Sequence, residues 1–283
     1  MTVSSTVERL KDQSCEMRKN LLKLCHKAGS HIGGELSMAD IITALYQYGM
    51  KYDPKNPDWD GRDRFILSKG HGAGALYIAL AMAGYFELDQ VLNTYKKLDS
   101  PFGEHPSDEI PGVEISTGSL GHGLSISIGM ALAAKLDKKK HRVFTLMGDG
   151  EIQEGSVWEG AMAAAHYQLG NLVAIIDRNR ISLDGETEKL MKLEPLVDKW
   201  KAFGWNVIEI DGHNMEQIVD TIDNLPTVDS DTPTVIIAKT VKGKGVPCME
   251  NDVDWHAGSI DAALLEKSCA ELDEARKKER GEL

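Results

Sequence analysis

The chain has 283 residues, with 32 Lys or Arg against 44 Asp or Glu and a formal net charge of -12. That balance argues against a general nucleic-acid surface, while the length allows one large buried core. Cys15, Cys25, Cys248 and Cys269 lack metal-ligand spacing, and neither a signal-peptide pattern nor a long apolar run is present. A reduced, cytoplasmic, soluble protein that engages neither nucleic acid nor membrane is therefore expected.

Residues 5–27 carry Val7, Leu10, Met17, Leu21, Leu22 and Leu24 at helical spacing and predict a helix ending near Gly29. A loop from Ser30, SHIGGE, follows, and Ser37 reads as the N-cap of a second helix reaching Tyr46. Residues 50–63, with two prolines, predict an irregular surface segment. Residues 65–67 predict a short buried strand, and Ser68-Lys69-Gly70-His71-Gly72 turns from it into a helix of small residues. A helix over 88–98 precedes a polar loop over 100–111 with three prolines, a length that a compact protein keeps for a purpose. The stretch 117–123 opens a helix over 124–136, and the basic run 136–142 is its solvated end.

The apolar run 143–147 stops at Gly148-Asp149-Gly150, and a second run, 172–176, stops at Asp177-Arg178-Asn179, with a helix over 152–167 between them. Such runs suit a parallel sheet covered on both faces, and a right-handed crossover places both strand ends on one edge. Asp149 and Asn179 then become neighbours. Carboxylate, amide and backbone oxygens suit a hard cation, Mg²⁺ or Ca²⁺, carrying phosphate. A following helix N-terminus can face a diphosphate, and Gly150 permits close approach. The same residues also serve as ordinary turn formers after buried strands.

A helix over 197–203, a strand over 205–210, a helix over 215–224 and a strand over 233–239 follow, then a long connection and a last helix over 260–278. With no repeat or linker, residues 1–283 read as one α/β domain, a doubly wound, mostly parallel sheet with helices on both faces. Six of nine histidines, His31, His71, His105, His122, His213 and His256, stand in loops close to glycine or proline. Imidazoles at strand ends suit proton relay near neutral pH, although each singly is better read as a satisfied core or surface group. No Gly-x-Gly-x-x-Gly follows the first strand, Lys242-Gly243-Lys244-Gly245 lacks the hydroxyl of a phosphate loop, and no histidines lie at i, i+4. What remains is a cofactor held through diphosphate and metal beneath a set of histidines.

The sequence here resembles the thiamine-diphosphate-binding half of transketolase, the PP domain. The resemblance rests on GDGEIQEG at 148–155 and DRNRISLDG at 177–185, with KAGSHIGGELSMAD at 27–40, DRFILSKGHGAGALY at 63–77, GEHPSDEIPGVEISTGSLGHG at 103–123 and KGKGVPCMENDVDWHAG at 242–258. It implies two-carbon ketol transfer between phosphorylated sugars with thiamine diphosphate and Mg²⁺, Ca²⁺ being possible. By the resemblance, Asp149, Asn179 and the Ile181 carbonyl are metal ligands, and Gly150, Glu151, Asn179, His71, His256, Gly118 and Leu120 contact cofactor. His31, His71, His105 and His256 handle substrate hydroxyls and protons, and Glu154 and Glu159 are interface carboxylates of a proton network. The chain reads GSHIGG where transketolases read SGHPG, has His122 where glutamine is common, and carries Arg178 beside the metal ligand, its side chain expected to point outward. His213 matches a less constant loop.

By the resemblance, the pyrimidine-binding domain of transketolase is expected to be absent from residues 1–283. A separately encoded partner carrying it, in an α₂β₂ assembly, is therefore expected. Alternatives are a transketolase for an unusual branched sugar phosphate such as apulose 4-phosphate, a deoxyxylulose-phosphate-synthase relative, or a nonenzymatic regulatory subunit.

Overall fold

The computed structural model describes residues 3–283. In chain order the helices are α1 (Val3–Ala28), α2 (Ile32–Ser37), α3 (Ala39–Ala44), α4 (Ala73–Met82), α5 (Leu88–Thr94), α6 (Gly123–Leu136), α7 (Gly155–His166), α8 (Thr187–Leu190), α9 (Leu196–Ala202), α10 (Met215–Asp223) and α11 (Ala262–Glu279). Five strands, β1 (Arg64–Leu67), β2 (Val143–Gly148), β3 (Leu172–Arg178), β4 (Asn206–Asp211) and β5 (Thr234–Lys239), form one parallel sheet in the order β1-β2-β3-β5-β4.

Successive strand residues point to opposite faces, and the sheet accordingly separates two cores. Phe65, Leu67, Phe144, Leu146, Val173, Ile175 and Ile236 pack with α1 to α5 and α10; Ile66, Val143, Met147, Ala174, Ile176 and Ile237 pack with α6, α7 and α9. Both faces are covered at β2, β3 and β5, which is why these strands read as largely apolar runs, whereas the edge strand β4 is partly exposed. On the second face Trp200 is fully buried and the Trp205 indole N–H donates to the Ala161 carbonyl at 2.8 Å.

Several boundaries differ from the sequence expectation. The SHIGGE stretch is not a loop: α2 starts directly after His31, and Ser37 is its last residue rather than an N-cap. Ile32 and Leu36 are fully buried, and that burial outweighs the helix penalty of Gly33 and Gly34. Gly33 is there for close approach, since a Cβ would lie 2.5 Å from the Trp255 carbonyl oxygen. Helix α5 stops at Thr94, four residues short of 98, and Lys96 adopts φ 58. Helix α7 begins only at Gly155, because extended Glu154 separates it from a 3₁₀ turn, Glu151–Gln153. Strand β3 continues through Asp177 and Arg178, which pair in register with Ala238 and Lys239. Helix α8 and the 3₁₀ turn Val253–His256 have no sequence expectation, being too short to carry a periodic signal.

Candidate active site

Ligands of open parallel sheets bind beyond the carboxyl ends of the strands, and here a cavity of about 510 Å³ opens at that edge. It is lined by the turns after β1, β2, β3 and β5 together with α2. Of the residues expected from sequence, His31, His71, Leu120, Asp149, Gly150, Glu151, Asn179, Ile181 and His256 border it. His105, Gly118, Glu154 and Glu159 do not.

Asp149 ends the β2 turn and is 2 % exposed. Its Oδ1 accepts the Gly150 N–H at 2.8 Å, and its Oδ2 accepts the Arg180 N–H at 2.6 Å. Burial, and then the charge of Asp177, push its pKa up, while Arg178 opposes them. Asn179, at the end of β3, accepts the Ile181 N–H through Oδ1 at 3.1 Å and donates from Nδ2 to Asp177 at 3.2 Å.

Arg178 does not point outward. It is 2 % exposed and donates to Asp149 at 2.9 Å, Thr187 at 2.8 Å, Glu188 at 2.7 Å and Glu194 at 3.1 Å. Four acceptors supplied by β2 and the α8 segment outweigh the desolvation of one guanidinium, whose planar fork suits several partners at once.

The histidines form a line of edge-to-face rings. Centroids are 5.7 Å apart for His256 and His31, 4.9 Å for His31 and His71, and 4.5 Å for His71 and His105. His105 thus stands behind His71 instead of lining the cavity. Gly118, at φ 144, packs on the His105 ring, where a Cβ would approach Cδ2 to 2.8 Å. Burial, followed by His71 in the first case and Lys242 in the second, lowers His31 and His256 to about 4, and burial lowers His71 as well. These rings are neutral at pH 7 and able to accept protons.

The remaining expected residues divide. Glu151 borders the cavity, but its carboxylate accepts from Ser68 Oγ and the N–H groups of Gly121 (3.0 Å) and Gly148 (2.9 Å). It ties three loops together. Glu154 and Glu159 are exposed at the start and outer side of α7. His122 is exposed at the N-terminus of α6. His213 lies away from this cavity, pairing through Nδ1 with Asp40 at 2.8 Å and accepting the Val241 N–H on Nε2 at 2.8 Å.

Two lysines bordering the cavity carry no expectation from sequence. Lys69 Nζ contacts Asp177 at 2.6 Å and the Gly34 carbonyl at 2.9 Å. Burial opposes ionisation of Asp177, but Lys69 and the hydroxyls of Ser37 and Thr240 outweigh it, so its pKa lies below the usual carboxylate value. Lys242, 2 % exposed, donates to the carbonyls of Ile181 at 3.0 Å and Ser182 at 3.2 Å, and to His256 Nδ1 at 2.7 Å. Burial, then Lys69, lowers it to about 8. The signals stand in Ser68-Lys69-Gly70-His71-Gly72 and in Lys242-Gly243-Lys244-Gly245.

Among the described residues no group of three His, Cys, Asp or Glu could hold a metal alone. Asp149, the Asn179 amide and the Ile181 carbonyl instead offer a hard-oxygen set that needs further oxygens from a ligand, and Lys69 and Lys242 add positive charge. The residues fit a cation-bridged diphosphate.

Fold and site together define a catalytic α/β domain that holds an anionic cofactor at the sheet edge under a line of histidines. Residues 18–276 match the family model described as transketolase, thiamine diphosphate binding domain. The chain is 45% identical over 269 residues to an apulose-4-phosphate transketolase subunit of Phocaeicola vulgatus, covering 95% of each chain. It is 41% identical to the 6-deoxy-6-sulfo-D-fructose transketolase subunit SqwG of Clostridium sp., covering 93% of this chain and 96% of that one. A solved transketolase from Campylobacter jejuni superposes with a TM-score of 0.87 at 31% identity, over 94% of this chain but only 43% of that one. The chain belongs to the transketolase family, as its thiamine-diphosphate-binding catalytic domain. No described helix is long and apolar enough to cross a membrane.

Proposed function

We propose that this chain is the diphosphate-binding half of a two-chain transketolase, acting on an uncommon sugar such as a branched or sulfonated ketose. The supporting observation is one of extent. The chain matches the subunits named for apulose 4-phosphate and 6-deoxy-6-sulfo-D-fructose over nearly their whole length, yet spans under half of the solved transketolase. A separately encoded partner would bring the pyrimidine-side half in an α₂β₂ assembly, with exposed Glu154 and Glu159 at the interface.

In this reading Asp149, Asn179 and the Ile181 carbonyl would hold Mg²⁺, and Gly150, Lys69, Lys242 and His256 would serve the diphosphate. Leu120, which borders the cavity, and Gly118, which packs behind it on His105, would serve the ring portion of the cofactor. Thiamine diphosphate, when bound, supplies the electron sink for breaking a carbon–carbon bond beside a carbonyl. The protein's own work is orientation and proton handling. His31 and His71, neutral at pH 7 and 4.9 Å apart, bind sugar hydroxyls and accept their protons, with His105 setting the His71 ring from behind.

The test is reconstitution with the separately encoded partner, followed by assay of ketol transfer against branched, sulfonated and ordinary pentose phosphates. Transfer only by the pair, fastest with an uncommon ketose, is expected. Fastest transfer with pentose phosphates would instead favour the second reading, an ordinary transketolase, for which the likeness to the Campylobacter jejuni enzyme speaks. Full activity of this chain alone would overturn the two-chain account.

A further inference from the structure

The His31 ring carries an unexplained nitrogen. Nδ1 is buried and has no hydrogen-bond partner, although buried polar groups are ordinarily satisfied. The nearest acidic oxygen is Glu104 Oε1, 3.6 Å away, beyond a formed hydrogen bond but within one side-chain adjustment of it.

Glu104 sits on a pinned loop. The Lys96 N–H donates to the Phe102 carbonyl at 2.9 Å, and the Tyr77 hydroxyl donates to the His105 carbonyl at 2.8 Å, fixing the chain on both sides of it. Its carboxylate also contacts Lys96 Nζ at 3.1 Å, and although burial opposes ionisation, Lys96 outweighs it and keeps the pKa below the usual value. An ionised acceptor therefore waits beside an orphaned imidazole nitrogen.

We propose that Glu104 is a positioning residue that forms a carboxylate–imidazole dyad with His31, fixing the proton on Nδ1 and leaving Nε2 as the acceptor for a sugar hydroxyl. The hydrogen bond made by one imidazole nitrogen sets the protonation of the other. On accepting a hydroxyl proton at Nε2 the ring becomes an imidazolium, and the adjacent carboxylate offsets that charge. The other groups facing His31 are His71, His105 and His256, which crowd it, and Lys96, which is neutralised by Glu104. Glu104 is the one group among these that favours the protonated ring.

The inference rests on the transketolase reading for its purpose but not for its test. Nitrogen-15 spectra of labelled histidines in the full chain report tautomer and titration without cofactor, sugar or partner. His213, held by Asp40 and Val241, supplies an internal Nδ1–H reference. We expect His31 to show Nδ1–H in the wild type and to move to Nε2–H in Glu104→Ala while His213 is unchanged. In Glu104→Gln, which keeps an acceptor but removes the charge, Nδ1–H persists and the His31 titration moves lower. A wild-type Nε2–H tautomer, or a His31 indifferent to both substitutions, overturns the dyad and leaves the transketolase reading intact.

Discussion

Lys242 donates to His256 Nδ1 across 2.7 Å, so the ring keeps its own proton on Nε2, and the same ammonium holds the Ile181 carbonyl at 3.0 Å. One buried cation thus governs both a histidine and an oxygen assigned to the metal shell. After burial, Lys242 is the next cause that keeps His256 down at about 4. Lys242→Met is expected to raise the His256 pKa toward the ordinary imidazole value without reaching it, because burial persists. Histidine titration by NMR checks this; an unmoved or lowered pKa would contradict it.

The Arg178–Asp149 pair makes a different prediction. Removing one partner of a buried ion pair leaves the other charge uncompensated and costs about 3–5 kcal/mol. Arg178→Met is expected to destabilise the chain to that order in chelator. Added Mg²⁺ with thiamine diphosphate should then raise its melting temperature more than it raises that of the wild type, since under the proposed metal assignment the cation would take over the neutralisation of Asp149. Equal ligand-induced shifts would show that Arg178 and the cation do not share that carboxylate.

Glu35 sets a pH dependence. It is fully buried, Ser30 donates to its Oε2 at 2.6 Å, and Oε1 lacks a formed hydrogen bond. Burial raises it to about 7, whereas an unfolded glutamate titrates near about 4.3. The folded chain therefore holds a proton that the unfolded chain releases between those values. Its stabilising contribution is complete below the lower value and is lost as pH rises through about 7. Glu35→Gln removes this loss, so at pH 8 the variant should exceed the wild type by roughly 3 kcal/mol, with little difference near pH 4. Urea denaturation at both pH values decides; a variant less stable than wild type at pH 8 would contradict the assignment.

Gly70 shows how tightly two loops of the site meet. A Cβ there would come within 2.6 Å of the Gly118 backbone nitrogen and 2.7 Å of Thr117 Oγ1. Gly70→Ala should cost about 1–3 kcal/mol and shift the His71 and His105 resonances together, because the two loops must part. Unaltered resonances with unaltered stability would show that the contact is slack.

The sheet is legible in the sequence because strands covered on both faces are mostly apolar, and the runs 143–147 in β2, 172–176 in β3 and 235–238 in β5 are. Asp149 and Asn179 can be placed together because crossover handedness leaves little choice. Helix α2 is hidden by Gly33 and Gly34; the reason for Gly33 is the close passage of Trp255, a long-range contact that local pattern does not carry. The inward turn of Arg178 depends on Thr187, Glu188 and Glu194, acceptors nine to sixteen residues on in a segment with no periodic signal. Lys69 and Lys242 are visible as letters, but their function is set by burial beside Asp177 and Ile181, which only the assembled edge reveals.

The most direct test is calorimetric titration of thiamine diphosphate into the full chain with Mg²⁺, with EDTA, and into Asn179→Ala with Mg²⁺. Saturable binding that needs the divalent cation, and that weakens by on the order of tenfold or more in the variant, is the predicted result. Binding of undiminished affinity in EDTA and in Asn179→Ala would contradict it.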